Sequence, residues 1–141
     1  MRADGGVGGD RRARGRLEAA NMAGFERNGD PFADYAKRWD LTVHWASAAD
    51  GALLGFAISG SEGRGKLFLY ELHVDSKRRK QGVASSLLEL VERSSTSRGR
   101  GAPTVELNVH SSNTRAVGFY EHVGFVETGK LRRGAVLEMR R

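Results

Sequence analysis

Apolar residues recur at roughly helical spacing from Leu17 to Trp39, at Leu17, Ala20, Met22, Phe25, Phe32, Tyr35, Ala36 and Trp39, with Asn28-Gly29-Asp30-Pro31 breaking the run. The spacing predicts two short helices around a turn. The period then changes. Leu41 to Ala46 is rich in strand formers, Asp50-Gly51 is a turn pair and Leu53 to Ser59 resumes the strand pattern, which predicts an antiparallel hairpin. A polar, glycine-rich connection, Gly60 to Lys66, leads to Leu67 to Val74, apolar at both alternating sets of positions. Such a strand is expected to be covered on both faces.

A basic loop, Asp75 to Gln81, precedes Gly82 to Ser94, where Val83, Leu87, Leu88 and Val91 mark one helical face and Glu89, Glu92 and Arg93 the other. Thr104 to Val109 reads as another strand. Ser111-Ser112-Asn113 offers N-cap chemistry to a helix that ends at Gly124, a residue suited to a left-handed C-cap. Phe125 to Thr128 and Ala135 to Met139 close the chain as two short strands around Lys130 to Gly134. No internal repeat is present. The order ββ, β-α, β-α, ββ predicts an α/β (α+β) fold, a mixed sheet with helices packed on it.

Composition narrows this picture. The 141 residues, 39% hydrophobic and 28% charged, suffice for one domain, and the absence of Cys excludes a disulfide framework and a thiolate zinc site. Only His44, His73, His110 and His122 remain as soft metal ligands, so no metal is expected. No apolar run reaches the ~20 residues of a membrane span, and Met1 to Arg16 lacks the apolar stretch of a secretory signal. The expectation is a soluble protein of the cytoplasm or nucleus with no membrane partner.

The net charge of +6 raises the question of a nucleic-acid or phosphate partner, and its distribution answers in part. Residues 1–16 hold five Arg against two Asp, residues 17–68 are net −2, and residues 69–141 are net +5. Residues 1–16 are too poor in apolar side chains to offset the entropy of ordering, so they are expected to form a disordered basic tail before a domain spanning 17–141. The second excess is concentrated in Lys77 to Lys80. There, between a strand and the first turn of a helix, free backbone N–H groups and the helix dipole favour an anion, and Gly82 lets a ligand approach the backbone. A diphosphate suits this loop. A solvated basic loop with a helix-starting glycine is the plainer alternative.

Two motifs in order decide between these. Arg79-Lys80-Gln81-Gly82-Val83-Ala84 fits R-x-x-G-x-A, and roughly thirty residues further on Asn113 to Phe125 fits N-x-x-A-x-x-F-Y-x-x-x-G-F. The pair, each after a strand, resembles the acetyl-CoA-dependent N-acetyltransferases of the GNAT superfamily. The resemblance implies the GNAT fold, with two parallel central strands, Leu67 to Val74 and Thr104 to Val109, splayed to admit the pantetheine arm. It implies that Arg79, Lys80, Gln81, Gly82, Val83 and Ala84 hold the coenzyme A pyrophosphate, that Leu72, His73 and Val74 pair with pantetheine, and that Asn113 contacts it. The family normally begins with a strand and two helices that wall the acceptor site. No first strand precedes Leu17 here, so a shortened N-terminal part is expected.

Acetyl transfer to an amine requires a neutral nucleophile, an oxyanion donor and an acid for the departing thiolate. Glu71, in an otherwise apolar strand where desolvation raises a carboxyl pKa, is a candidate base, directly or through a water. A carboxylate at a strand's exposed end is the alternative. Tyr120 stands where many GNAT enzymes keep a Tyr as general acid, and otherwise is a core aromatic beside Phe119. Glu106 and Asn108 share one face of the second central strand. Asn108 occupies the position where bacterial ribosomal-protein acetyltransferases carry a catalytic Glu, which moves the assignment of base to Glu71. His73, on the same face as Glu71, reads as a satisfied structural histidine.

Leu69 to Lys80 followed by Gly82, with the ending Val136 to Arg141, is most similar to the N-alpha-acetyltransferase D type, which acetylates the N-terminal serine of two core histones. That resemblance implies a basic protein N-terminus, a core histone, as acceptor, with Tyr70 shaping the peptide site and Glu71 binding or deprotonating the terminal amine. A packed aromatic and a structural carboxylate are the plainer roles. Three positions depart from the type: Ser59 and Ser61 replace upstream acidic residues, with Glu62 nearby; Ala84 replaces a second Gly; and Tyr120 follows the wider superfamily. Another GNAT acceptor (a different protein terminus, a lysine or a small amine) and a non-catalytic module binding coenzyme A or nucleic acid are the competing readings. Nucleic acid is not the main partner expected.

Overall fold

The structure is a computed structural model in which residues 2–7, 41–63, 65–78, 82–96 and 103–141 are described. The helices predicted over Leu17 to Trp39, and loop residues Arg79, Lys80 and Gln81, lie outside them. The described strands are β1 (Arg2–Val7), β2 (Leu41–Ser47), β3 (Leu53–Ser61), β4 (Lys66–Val74), β5 (Thr104–His110), β6 (Val126–Leu131) and β7 (Val136–Arg140), with helices α1 (Val83–Thr96) and α2 (Thr114–His122). They form one seven-stranded sheet in the order β1-β2-β3-β4-β5-β7-β6. Only β4 and β5 pair in parallel among the described strands.

Residues 8–16 of the expected tail lie outside the described residues, but Arg2–Val7 is a strand, where a tail was expected and no strand before Leu17. It pairs antiparallel with β2, from Arg2 opposite Ser47 to Val7 opposite Thr42. An edge strand is held by ladder hydrogen bonds to its neighbour and needs no apolar side chain of its own, so composition gave no sign of it. The closing strands also differ from the expected bounds: Lys130 and Leu131 belong to β6, and only Arg132–Gly134 makes the 3₁₀ turn into β7.

The main core lies between one face of the sheet and the two helices. Val83, Leu87, Leu88 and Val91, the predicted face of α1, are buried there with Leu69, Val105, Leu107, Tyr120 and Met139. Both crossovers, β4 to β5 and β5 to β6, step the same way along the sheet, and the right-handed rule puts both helices on one face. A second apolar cluster, Leu41, Val43, Trp45, Phe56 and Ile58, occupies the opposite face of the β2 to β3 hairpin. Close packing of α1 demands a glycine at position 55, where a Cβ would stand 2.5 Å from the His73 carbonyl oxygen and 3.3 Å from Leu87 Cδ1. No described helix is long and apolar enough to cross a membrane.

The caps of α2 match their sequence signals. Asn113 Oδ1 accepts a hydrogen bond from Ala116 N at 3.3 Å, and Gly124 adopts φ 99° while its N–H donates to the Glu121 carbonyl.

Candidate active site in the split between two strands

The β4 to β5 ladder is short. Lys66 opposes Thr104, Leu67 Val105, Phe68 Glu106 and Leu69 Leu107, and the pairing then stops although β4 continues to Val74 and β5 to His110. Beyond Leu69 and Leu107 the strands diverge, leaving a split that opens at the C-terminal ends of both. The N-termini of α1 and α2, each following one of these strands, stand at the same end of the sheet.

A β-bulge in β4 sits beside the split. Against β3, Glu71 opposes Ile58 and Leu69 opposes Ser59, so Tyr70 is an extra residue in the ladder. The bulge reverses the alternation. Before it Leu67 and Leu69 face the helices, and after it Leu72 and Val74 do. Tyr70 therefore packs against the second cluster, and Glu71 and His73 take that same face, where His73 stacks on Phe56 at 5.0 Å between ring centroids. The alternation itself carried this signal: positions 67 and 69 are apolar but 71 and 73 polar.

On this face four polar groups join in pairs. A His73 Nε2–H donates to Glu71 Oε2 at 2.7 Å, with the Glu71 side chain 11% exposed and that of His73 20%. Tyr70 Oη donates to Glu62 Oε1 at 2.8 Å, and its ring packs on Phe68 at 4.8 Å. Glu62 lies in the β3 to β4 turn; Ser59 is buried in the sheet and Ser61 is exposed. Across the split, Glu106 and Asn108 share this face through the register of Glu106 with Phe68, and Asn108 is exposed.

Tyr120 lies on the other face, within the core that includes Leu69 and Leu107, the last paired residues before the split. Its ring meets Phe125 edge-on at 5.4 Å and Phe119 at 5.5 Å. Burial raises its phenol pKa to about 12, so it holds its proton at neutral pH.

Gly82, just before α1, has φ 75°, a left-handed conformation that favours glycine, and apart from its chain neighbours a Cβ there would meet no described heavy atom within 4 Å. Among the described residues nothing crowds the backbone at this point. α1 begins at Val83, the first N–H groups of a helix have no partner within it, and Val83 is buried while Ala84 is half-buried. Lys77 is exposed in the same loop. This combination fits an anionic group such as a diphosphate. Asn113, exposed at the N-terminus of α2, spends its side-chain oxygen on the cap, which does not use its amide N–H groups. Among the described residues no three His, Asp or Glu cluster to hold a metal ion.

The sequence model of the acetyltransferase (GNAT) family matches residues 14–125. Among solved structures, nourseothricin acetyltransferase is 28% identical over 72% of this chain, with a TM-score of 0.62; this chain spans 64% of that protein's length. The ribosomal-protein-S18-alanine N-acetyltransferase of Escherichia coli shares the fold at 19% identity, a TM-score of 0.69, and coverage of 99% of this chain and 92% of its own. An aminoglycoside 6'-N-acetyltransferase complexed with coenzyme A does so at 19% identity, a TM-score of 0.74, and coverage of 100% and 96%.

Proposed function

The chain belongs to the acetyltransferase (GNAT) family, and on that premise we propose that it moves an acetyl group from acetyl-CoA to the free α-amine of a basic protein N-terminus, of the kind the core histones carry. The observation that supports this reading most is the bulge, which sets Tyr70 and Glu71 on one face with the Glu62 carboxylate tied to Tyr70. Two carboxylates around an aromatic ring attract a cationic amine and a cationic neighbour. Compartment follows from acceptor: cytoplasm or nucleus.

In this reading acetyl-CoA supplies the activated acetyl group. Gly82, Val83 and Ala84 would hold its diphosphate, together with Arg79, Lys80 and Gln81 of the sequence motif, and Leu72, His73, Val74 and Asn113 would hold its pantetheine arm. Tyr70 and Glu71 position the acceptor. Glu71 takes the proton of the ammonium, directly or through a water, so that the nitrogen lone pair is free to attack. His73 is a positioning residue that fixes the Glu71 carboxylate by their 2.7 Å hydrogen bond. As the new C–N bond forms and the C–S bond breaks, Tyr120 gives its phenolic proton to the departing sulfur.

A second reading has support of its own: nourseothricin acetyltransferase, at 28% identity, suggests a small-molecule amine as acceptor. Both readings use the same carboxylates. Incubation of the protein with acetyl-CoA and a panel of N-terminal peptides, lysine peptides and small polyamines, followed by mass mapping, separates them. Acetylation of the α-amine of Ser-Gly-Arg-Gly peptides is the expected result. Transfer confined to small amines or to lysine side chains overturns the N-terminal reading.

A further inference from the structure

We propose that two copies of the protein associate through β6, edge to edge and antiparallel, so that the sheet continues across a two-fold axis between Thr128 and Gly129. β6 ends the strand order, so its outer edge faces no described strand. An open edge of this kind is a template for pairing. It also carries the exposed large apolar side chains found among the described residues, Val126 at 59% and Leu131 at 42%.

The sequence of β6, Val126-Glu127-Thr128-Gly129-Lys130-Leu131, is complementary to itself when reversed. About the proposed axis each Val126 opposes the partner's Leu131, and each Glu127 opposes the partner's Lys130. Residues that oppose each other in an antiparallel pair must share a face of the sheet, and in an unbroken strand neither 127 and 130 nor 126 and 131 would do so. The bulge of β6 removes this obstacle. Between Glu127 and Gly129 the register to β7 shifts and Thr128 drops out of the alternation. Val126 and Leu131 therefore oppose Arg140 and Val136 on one face, while Glu127 and Lys130 oppose Met139 and Leu137 on the other. Within one chain Glu127 and Lys130 meet at 3.6 Å and are 45% and 60% exposed, so exchanging that contact for the cross-strand one leaves the charges paired. A bulge on an edge commonly turns it away from other chains; here it brings matching side chains onto matching faces.

A pair of six-residue strands covers far less than the ~1,200 Å² of a standard interface, so the association is concentration-dependent. The active site is not needed for it, since β5 and β7 stand between β6 and β4. Sedimentation equilibrium, up to about 1 mM protein, reads the outcome for the wild type, Glu127→Lys, Lys130→Glu, and an equimolar mixture of the two variants. The altered side chains are solvent-exposed, and far-UV circular dichroism checks that each variant is folded. Expected is dimerisation of the wild type, at least tenfold weaker self-association of each variant alone, and recovery in the mixture, where the two basic side chains of one variant face the two acidic side chains of the other. A wild type that stays monomeric overturns the proposal. So does dimerisation indifferent to either change, or a mixture that fails to recover.

Discussion

Tyr70 and Glu71 are consecutive in the chain yet face the same side of the sheet, because Tyr70 is the extra residue of a bulge against Ile58 and Ser59. Regular alternation would send one of them into the helical core. Instead both stand beside the split, Tyr70 bonded to Glu62 and Glu71 to His73. The bulge thus turns Tyr70 and Glu71 together onto the face of the proposed acceptor site, at the point where the parallel ladder ends.

Gly82→Asp is expected to abolish acetyl-CoA binding in isothermal calorimetry. Aspartate at φ 75° strains the backbone by about 1 kcal/mol, and its charge repels a diphosphate at the α1 N-terminus. Gly82→Ala, with open space around its Cβ, keeps measurable binding at reduced affinity. Equal affinity of the Asp variant and the wild type would show that the diphosphate lies elsewhere.

Tyr120→Phe keeps the ring packing with Phe119 and Phe125 and removes only the hydroxyl, so turnover should fall about 10²-fold while the fold persists. The same residue shapes alkaline stability. Its folded pKa near 12 exceeds the ordinary 10, so its contribution is complete below pH 10 and is lost as pH rises to 12. Chemical denaturation should register a loss of roughly 2–3 kcal/mol across that window, absent in the Phe variant.

The elements themselves were largely legible. The apolar face of α1, the Asn113 cap and Gly124 stop of α2, and the order of strands around them follow from periodicity and capping chemistry. What escaped has physical causes. Strand β1 is held by backbone pairing that composition does not record. The β4 bulge showed only as a change of parity, apolar at 67 and 69 and polar at 71 and 73, which alone does not reveal where the extra residue lies. The Glu62 to Tyr70 contact joins residues eight apart across a turn, and the stacking of Phe56 on His73 depends on the register of two strands.

His44 governs the acid side of stability. It is buried on β2, its Nδ1 has no hydrogen-bond partner among the described residues, and burial lowers its pKa to about 4. The unfolded chain binds a proton near pH 6.5 that the folded chain does not, so the His44 contribution is present above 6.5 and disappears as pH falls to 4. Denaturation between these limits should show a decline of about 3 kcal/mol that His44→Leu removes.

The most direct test is single-turnover acetyl transfer by Glu71→Gln at saturating acetyl-CoA, with coenzyme affinity measured on the same preparation. The amide keeps the size of the side chain and its contact with His73 but cannot take a proton. A fall of 10²-fold or more in the transfer rate with affinity within a factor of about two is expected. An unchanged rate would contradict the assignment of Glu71 as the group that deprotonates the amine, and with it the acceptor site built on the bulge.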